Sequence, residues 1–99
     1  MEIKELTKQQ KLNVLNSILE NLPNGDYFLC IKISLAAFYM DYITDEEYYF
    51  NDCSDITASL IPELLQFKPK SKYENMRWFK NGEERLEALK KLIKIIEEQ

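Results

Sequence analysis

The residues best suited to gripping a ligand lie between positions 61 and 85. There Lys68, Lys70, Lys72, Arg77, Lys80 and Arg85 interleave with Tyr73, Phe79 and the only tryptophan, Trp78. Ammonium and guanidinium groups make charge-assisted hydrogen bonds to phosphate, and an aromatic face stacks on a base. The pattern therefore fits a small phosphorylated ligand, such as a signalling nucleotide, on Lys70, Lys72, Tyr73, Arg77, Trp78, Lys80 and Arg85. A second chemistry is available at 41–55, where Asp45, Glu46 and Glu47 run directly into Tyr48, Tyr49 and Phe50. Acids complement a basic partner surface and aromatic rings anchor an interface, which makes Asp45, Glu46, Glu47, Tyr48 and Tyr49 candidate protein-binding residues. Each stretch also has a purely structural reading. Trp78 and Phe79 would then cover the core beside solvated charges, and the tyrosines would pack inward.

Neither stretch dictates a reaction. Histidine is absent, which removes the usual base of Ser-His or Cys-His catalysis and the commonest zinc ligand. There is no glycine-rich phosphate loop, and the acids at 45–55 lack the alternating oxygen ligands and central glycine of a calcium loop. Cys30 and Cys53 are too far apart in sequence for a zinc motif, and nothing in the sequence marks an oxidising compartment, so both are read as unpaired thiols. The expectation is a protein that is not an enzyme, with no catalytic residue, metal or cofactor.

With 99 residues, 45% of them hydrophobic, the chain is expected to form one domain over 1–99 with one core. A chain of this size buries only about 60 to 65% of its unfolded surface, so self-association would supplement its stability. No apolar run is long enough to span a bilayer, and no basic n-region followed by an apolar h-region and cleavage site marks export. The expected location is the cytoplasm. The net charge of -4 is unevenly spread: residues 23–67 carry one Lys against eight acids, and residues 68–85 carry six Lys or Arg against three Glu. That asymmetry predicts either a bipolar surface or pairing inside the molecule, and the acidic total argues against duplex DNA as a partner.

The elements that must position these groups read as helices. Thr7 and Gln10 have the spacing of a capping box, and Leu12, Leu15, Ile18, Leu19 and Leu22 recur at helical spacing with Lys11, Asn13, Asn16 and Glu20 turned away. A helix over 8–22 follows. Residues 27–43 are apolar on nearly every side and include the Ala36-Ala37 pair. They predict a central buried helix with Phe38, Tyr39, Met40 and Tyr42 in the core, the reading preferred to a cofactor-lining face, although alternation at 31–35 is compatible with a strand. Thr44 and Glu47 form a second capping-box pattern. Pro62 either kinks a helix through Ile56, Leu60, Ile61, Leu64 and Leu65 or opens a new one. A last helix over 83–97, capped by Asn81, places Leu86, Leu89, Leu92, Ile93 and Ile96 on one face. It is expected to pack on the first two helices and to fray at its end, where Glu97 and Glu98 oppose the helix dipole. The predicted fold class is all-α, a small bundle of three main helices with shorter helical pieces between 45 and 67.

Residues 26–30, 61–69 and 78–93 resemble short uncharacterised proteins of Bacteroides-type bacteria and their phages. The resemblance is carried by Phe28 to Ile31, by Ile61-Pro62-Glu63-Leu64-Leu65-Gln66-Phe67-Lys68-Pro69, and by Trp78-Phe79 leading through Gly82 to Glu84-Arg85 and the Leu86, Leu89, Ile93 stripe. It covers under half of the chain, and 41–55 matches least well. It implies a phage or mobile-element accessory protein and supplies no catalytic residues. Two functions follow as expectations. The favoured one is binding to a host protein, such as inhibition of a defence enzyme. The other is a sponge that sequesters a signalling nucleotide.

Overall fold

The computed structural model describes residues 3–20, 29–67 and 82–99, with side chains for 3–20, 29–66 and 86–99. All regular structure among these residues is helical: α1 (Lys8–Glu20), α2 (Leu29–Tyr39), α3 (Asp45–Tyr49), α4 (Cys53–Leu60), a 3₁₀ segment (Pro62–Phe67) and α5 (Gly82–Glu97). Helix α4, at eight residues, is a fourth substantial helix where only short pieces were expected. The elements form a closed circuit in which α1 packs on α2, α2 on α4, α4 on the 3₁₀ segment, the 3₁₀ segment on α5, and α5 back on α1. The last helix thus rests chiefly on α1 and the 3₁₀ segment rather than on both of the first two helices. At the centre of the circuit Val14, Leu15, Leu29, Ile33, Ile56, Leu60, Ile61, Leu64, Leu89, Leu92 and Ile96 are fully buried.

Local signals explain where these elements begin and end. Thr7 Oγ1 accepts from the Gln10 amide at 3.2 Å, while the Thr7 amide donates to Gln10 Oε1 at 3.0 Å, the reciprocal bonds of a capping box. Pro62 opens the 3₁₀ segment and leaves no kink, because Ile61 before it is extended (φ -134, ψ 78) and closes α4 through its amide to the Thr57 carbonyl. Such an extended residue is what the ring of a following proline requires. Over 29–39 the chain is helical, so the strand alternative is excluded. The helix stops four residues short of its expected end because Asp41 takes φ 60. Its amide reaches the Phe38 carbonyl (3.1 Å) and that of Tyr42 reaches Ala37 (2.9 Å), the two bonds of a Schellman turn. Without a glycine to mark it, this stop is invisible to periodicity.

The buried face of α1 is rotated from the one predicted. It consists of Lys11, Val14, Leu15 and Ile18, with Leu12 and Leu19 only partly buried at its edge. Lys11, placed on the solvent side by its charge, is 3% exposed. Its Nζ donates to Glu5 at 2.6 Å and to both Glu63 oxygens at 2.9 and 2.8 Å, so the ammonium is fully used by carboxylates from two segments. Leu65, on the predicted stripe through Ile56, Leu60, Ile61 and Leu64, is exposed. The end of α5 is also tied where fraying was expected: Gln99 Nε2 donates to Glu63 Oε2 at 2.8 Å and Lys8 Nζ to the Gln99 main-chain oxygen at 2.8 Å. The cap at Asn81 and the residues at 21–28 lie outside the described residues.

Candidate protein-binding surface

The Schellman turn at Asp41 sends the chain back along the end of α2, and a capping box starts α3 three residues later. Thr44 Oγ1 accepts from the Glu47 amide at 3.1 Å and the Thr44 amide donates to Glu47 Oε1 at 2.8 Å. Phe50 and Asn51 close the other end, the Phe50 amide on the Glu46 carbonyl (2.9 Å) and Asn51 Nδ2 on the Glu47 carbonyl (2.9 Å). A five-residue helix is too short to hold itself in water. It is held here by its caps and by aromatic contact with α2.

That contact centres on Phe38. Its ring lies 4.5 Å from that of Tyr48, centroid to centroid, and meets Tyr39 and Tyr49 edge-on at 5.8 and 6.0 Å. Tyr48 and Tyr49 form a further edge-to-face pair at 5.0 Å. These are the favoured geometries of aromatic pairs. Phe38 and Tyr48 are partly buried against the core, and they support two rings that are not: Tyr39 is 74% and Tyr49 70% exposed, and the following Phe50 is 83% exposed. Tyr39 and Tyr49, linked through Phe38, and Phe50, next in sequence to Tyr49, together expose on the order of 450 Å² of aromatic area at roughly 200 Å² per ring. Tyr39 had been assigned to the core. It sits instead at the last turn of α2, beyond the reach of the core face formed by Leu29, Cys30, Ile33 and Ala37.

The stretch of sequence that carries these rings is one-sided in charge. Asp41, Asp45, Glu46, Asp52 and Asp55 are exposed, and the sequence has no Lys or Arg from 33 to 67. Of the five predicted protein-binding residues, Asp45, Glu46 and Tyr49 face solvent, Tyr48 serves as a support, and the Glu47 carboxylate is engaged in the helix cap. The surface also includes Tyr39 and Phe50, which the five did not. No sequence signal marked Tyr39, because the stop at Asp41, two residues on, carries no glycine.

The predicted nucleotide site falls outside what the structure describes. Lys70, Lys72, Tyr73, Arg77, Trp78 and Lys80 lie outside the described residues, and so does the side chain of Arg85. Among the described residues no group of three or more Cys, Asp or Glu is placed to hold a metal ion, and no helix is long and apolar enough to cross a membrane.

A second cluster joins α2 to α4. Thr57 Oγ1 donates to the Cys30 carbonyl at 2.9 Å, and the sulfurs of Cys30 and Cys53 are 3.6 Å apart. Cys30 is buried, Cys53 half-buried, and no disulfide joins them. Burial pushes the Cys30 thiol up to about 12, helped by the neighbouring Cys53. Burial also raises Cys53, an effect reduced by the hydrogen bond it shares with Cys30 and reinforced by Asp52. Both groups are therefore protonated near neutrality, and neither is an activated nucleophile. No family model, curated protein or solved structure matches the chain, so the reading of these surfaces rests on their own geometry.

Proposed function

We propose that this chain is a non-catalytic binding protein that engages another protein through the acidic aromatic face formed by the end of α2 and by α3. The observation that supports it is the exposure of Tyr39, Tyr49 and Phe50 on a buttressed scaffold. Rings fixed before binding lose little conformational freedom on docking, which favours them as interface anchors. The surrounding acids, uncompensated by any basic residue from 33 to 67, select a partner with an apolar pocket rimmed by Lys or Arg, and they speed encounter with it. A nucleic-acid-binding enzyme has such a rim. Together with the resemblance to phage-borne and bacterial accessory proteins, this directs the reading to inhibition of a host defence enzyme in the cytoplasm.

The test starts with capture from host lysate by wild-type protein and by two variants, Tyr49→Ala/Phe50→Ala and Asp45→Lys/Glu46→Lys. A partner identified by mass spectrometry and then titrated in purified form should bind each variant more weakly by ~2 kcal/mol or more, with melting temperature unchanged. The association rate should also fall with added salt. Equal affinity for all three proteins sinks the proposal. Size-exclusion chromatography with light scattering covers a second outcome. A dimer dispersed by Phe50→Ala would make the occupant another copy of this chain. A nucleotide retained through purification, seen as excess absorbance at 260 nm, would shift the assignment to the basic segment at 68–85.

A further inference from the structure

We propose that Cys30 and Cys53 form a reversible disulfide that ties the start of α2 to the start of α4 and closes a covalent loop around the aromatic face. The two sulfurs already touch at 3.6 Å across two packed helices. A bond needs about 2.05 Å, a gap that small side-chain rotations at both residues can close. The surroundings hold the pair in register, since Thr57 Oγ1 bonds the Cys30 carbonyl and Ser54 Oγ lies 3.9 Å from Cys30 Sγ. The closed loop would contain every residue of the aromatic face, from Phe38 to Phe50.

The chemistry is thiol–disulfide exchange with a low-molecular-weight disulfide as oxidant. Cys53, the more accessible sulfur, loses its proton to solvent and attacks one sulfur of the oxidant. One thiolate leaves, and a mixed disulfide remains on Cys53. Cys30, whose thiol is raised chiefly by its burial, then gives up its proton to solvent as the slower step. The Cys30 thiolate then attacks Cys53 Sγ and expels the second thiolate. In sum, two protein thiols and one disulfide become one protein disulfide and two small thiols. Excess small thiol reverses the sequence. The bond-forming site stands on the sulfur geometry, whereas any effect on partner binding rests on the function proposed above.

The experiment incubates reduced, folded protein with glutathione disulfide, quenches with iodoacetamide and weighs the product. The expected species is a monomer two hydrogens lighter than the reduced chain, with a peptide linking Cys30 to Cys53. Closing a loop of this length should raise the melting temperature by ~10 °C or more and slow amide hydrogen exchange over 39–51. Cys53→Ser, a near-isosteric change at a half-buried site, should show neither the mass loss nor the stabilisation. A monomer that stops at glutathionylated Cys53, or cross-linked dimers instead of an internal bond, would overturn the proposal. Unchanged exchange over 39–51 in fully cross-linked protein would overturn the link to the aromatic face. Neither readout involves a partner, so a failure of the binding function leaves this result separate.

Discussion

Two regions of this molecule break the rule that apolar groups go inside and charges outside, and they break it in opposite directions. Beneath α1 a lysine ammonium is buried. At the end of α2 three aromatic rings stand in water. The first exception is compensated within the molecule, because Lys11 meets two carboxylates and Glu63 accepts a further bond from Gln99. The second has supports below it, and none of the described residues covers it. A compensated exception is part of the fold, and an uncompensated one marks a surface with work to do.

The largest effect that sharpens this contrast should come from Lys11→Ala. It leaves Glu63 without its cation in a partly buried site, and unfolding by denaturant should show a loss of ~3 kcal/mol. Pairing Lys11→Met with Glu63→Gln should recover much of that, because no charge is then left behind. A loss below ~0.5 kcal/mol for Lys11→Ala would show that the ion pair is ornamental and would dissolve the comparison.

Acid and base should probe the same site from both sides. Burial alone would raise Glu63, but the hydrogen bonds from Lys11 and Gln99 prevail and hold it below its ordinary 4.5. A carboxyl lowered by folding stabilises the protein above its unfolded value, and that contribution is lost as pH falls from about 4.5 through the lower folded value. Lys11 shows the mirror image. Burial opposes its charge, yet hydrogen bonds to Glu5 and Glu63 raise it above 10.5, so its contribution is complete below pH 10.5 and fades as pH climbs through the raised value. Melting temperature measured across pH should fall at both extremes in wild type, and the fall should be blunted in Lys11→Met/Glu63→Gln.

A smaller effect of opposite sign is expected at the hinge of the aromatic face. Asp41 holds φ 60, a conformation that costs a residue with a Cβ roughly 1 kcal/mol, and its charge sits at the unfavourable end of the α2 dipole. Asp41→Gly should stabilise the protein by ~0.5 to 1 kcal/mol after allowing for the extra freedom of glycine when unfolded. Smallest of all should be Phe50→Ala, within ~0.5 kcal/mol in thermal unfolding. A loss above ~2 kcal/mol there would place Phe50 in the fold and remove it from the binding surface.

Local chemistry made much of this architecture legible in the sequence. The capping boxes at Thr7 and Thr44, the stop before Pro62 and the stripe through Leu89, Leu92 and Ile96 each depend on residues within a turn or two of one another. Lys11 was misplaced because its burial depends on Glu63, 52 residues away, and a single chain pattern carries no record of such a partner. The meeting of Cys30 with Cys53 is hidden for the same reason. Asp41 could not be read as a helix stop, since the left-handed turn there is made by a residue that usually avoids it. Once α2 ends at Tyr39, the outward turn of that ring follows, and the mistaken core assignment traces to the missed stop.

The closed circuit of helices has a kinetic consequence. Helices α2, α3 and α4 are sequence neighbours, whereas α5 meets α1 across most of the chain, with Lys8 bonded to Gln99. Loop-closure entropy makes the distant pairing the harder one to form early. Folding should therefore begin in the α2–α3–α4 segment and finish when α5 docks. Transition-state φ-values near ~0.5 to 0.8 for Ile33→Val and Ile56→Val, against values near zero for Leu89→Ala, would record that order, and the reverse pattern would refute it. By the same logic a partial unfolding that releases α5 leaves the α2–α3–α4 segment assembled, so the aromatic face can outlast the docking of the last helix.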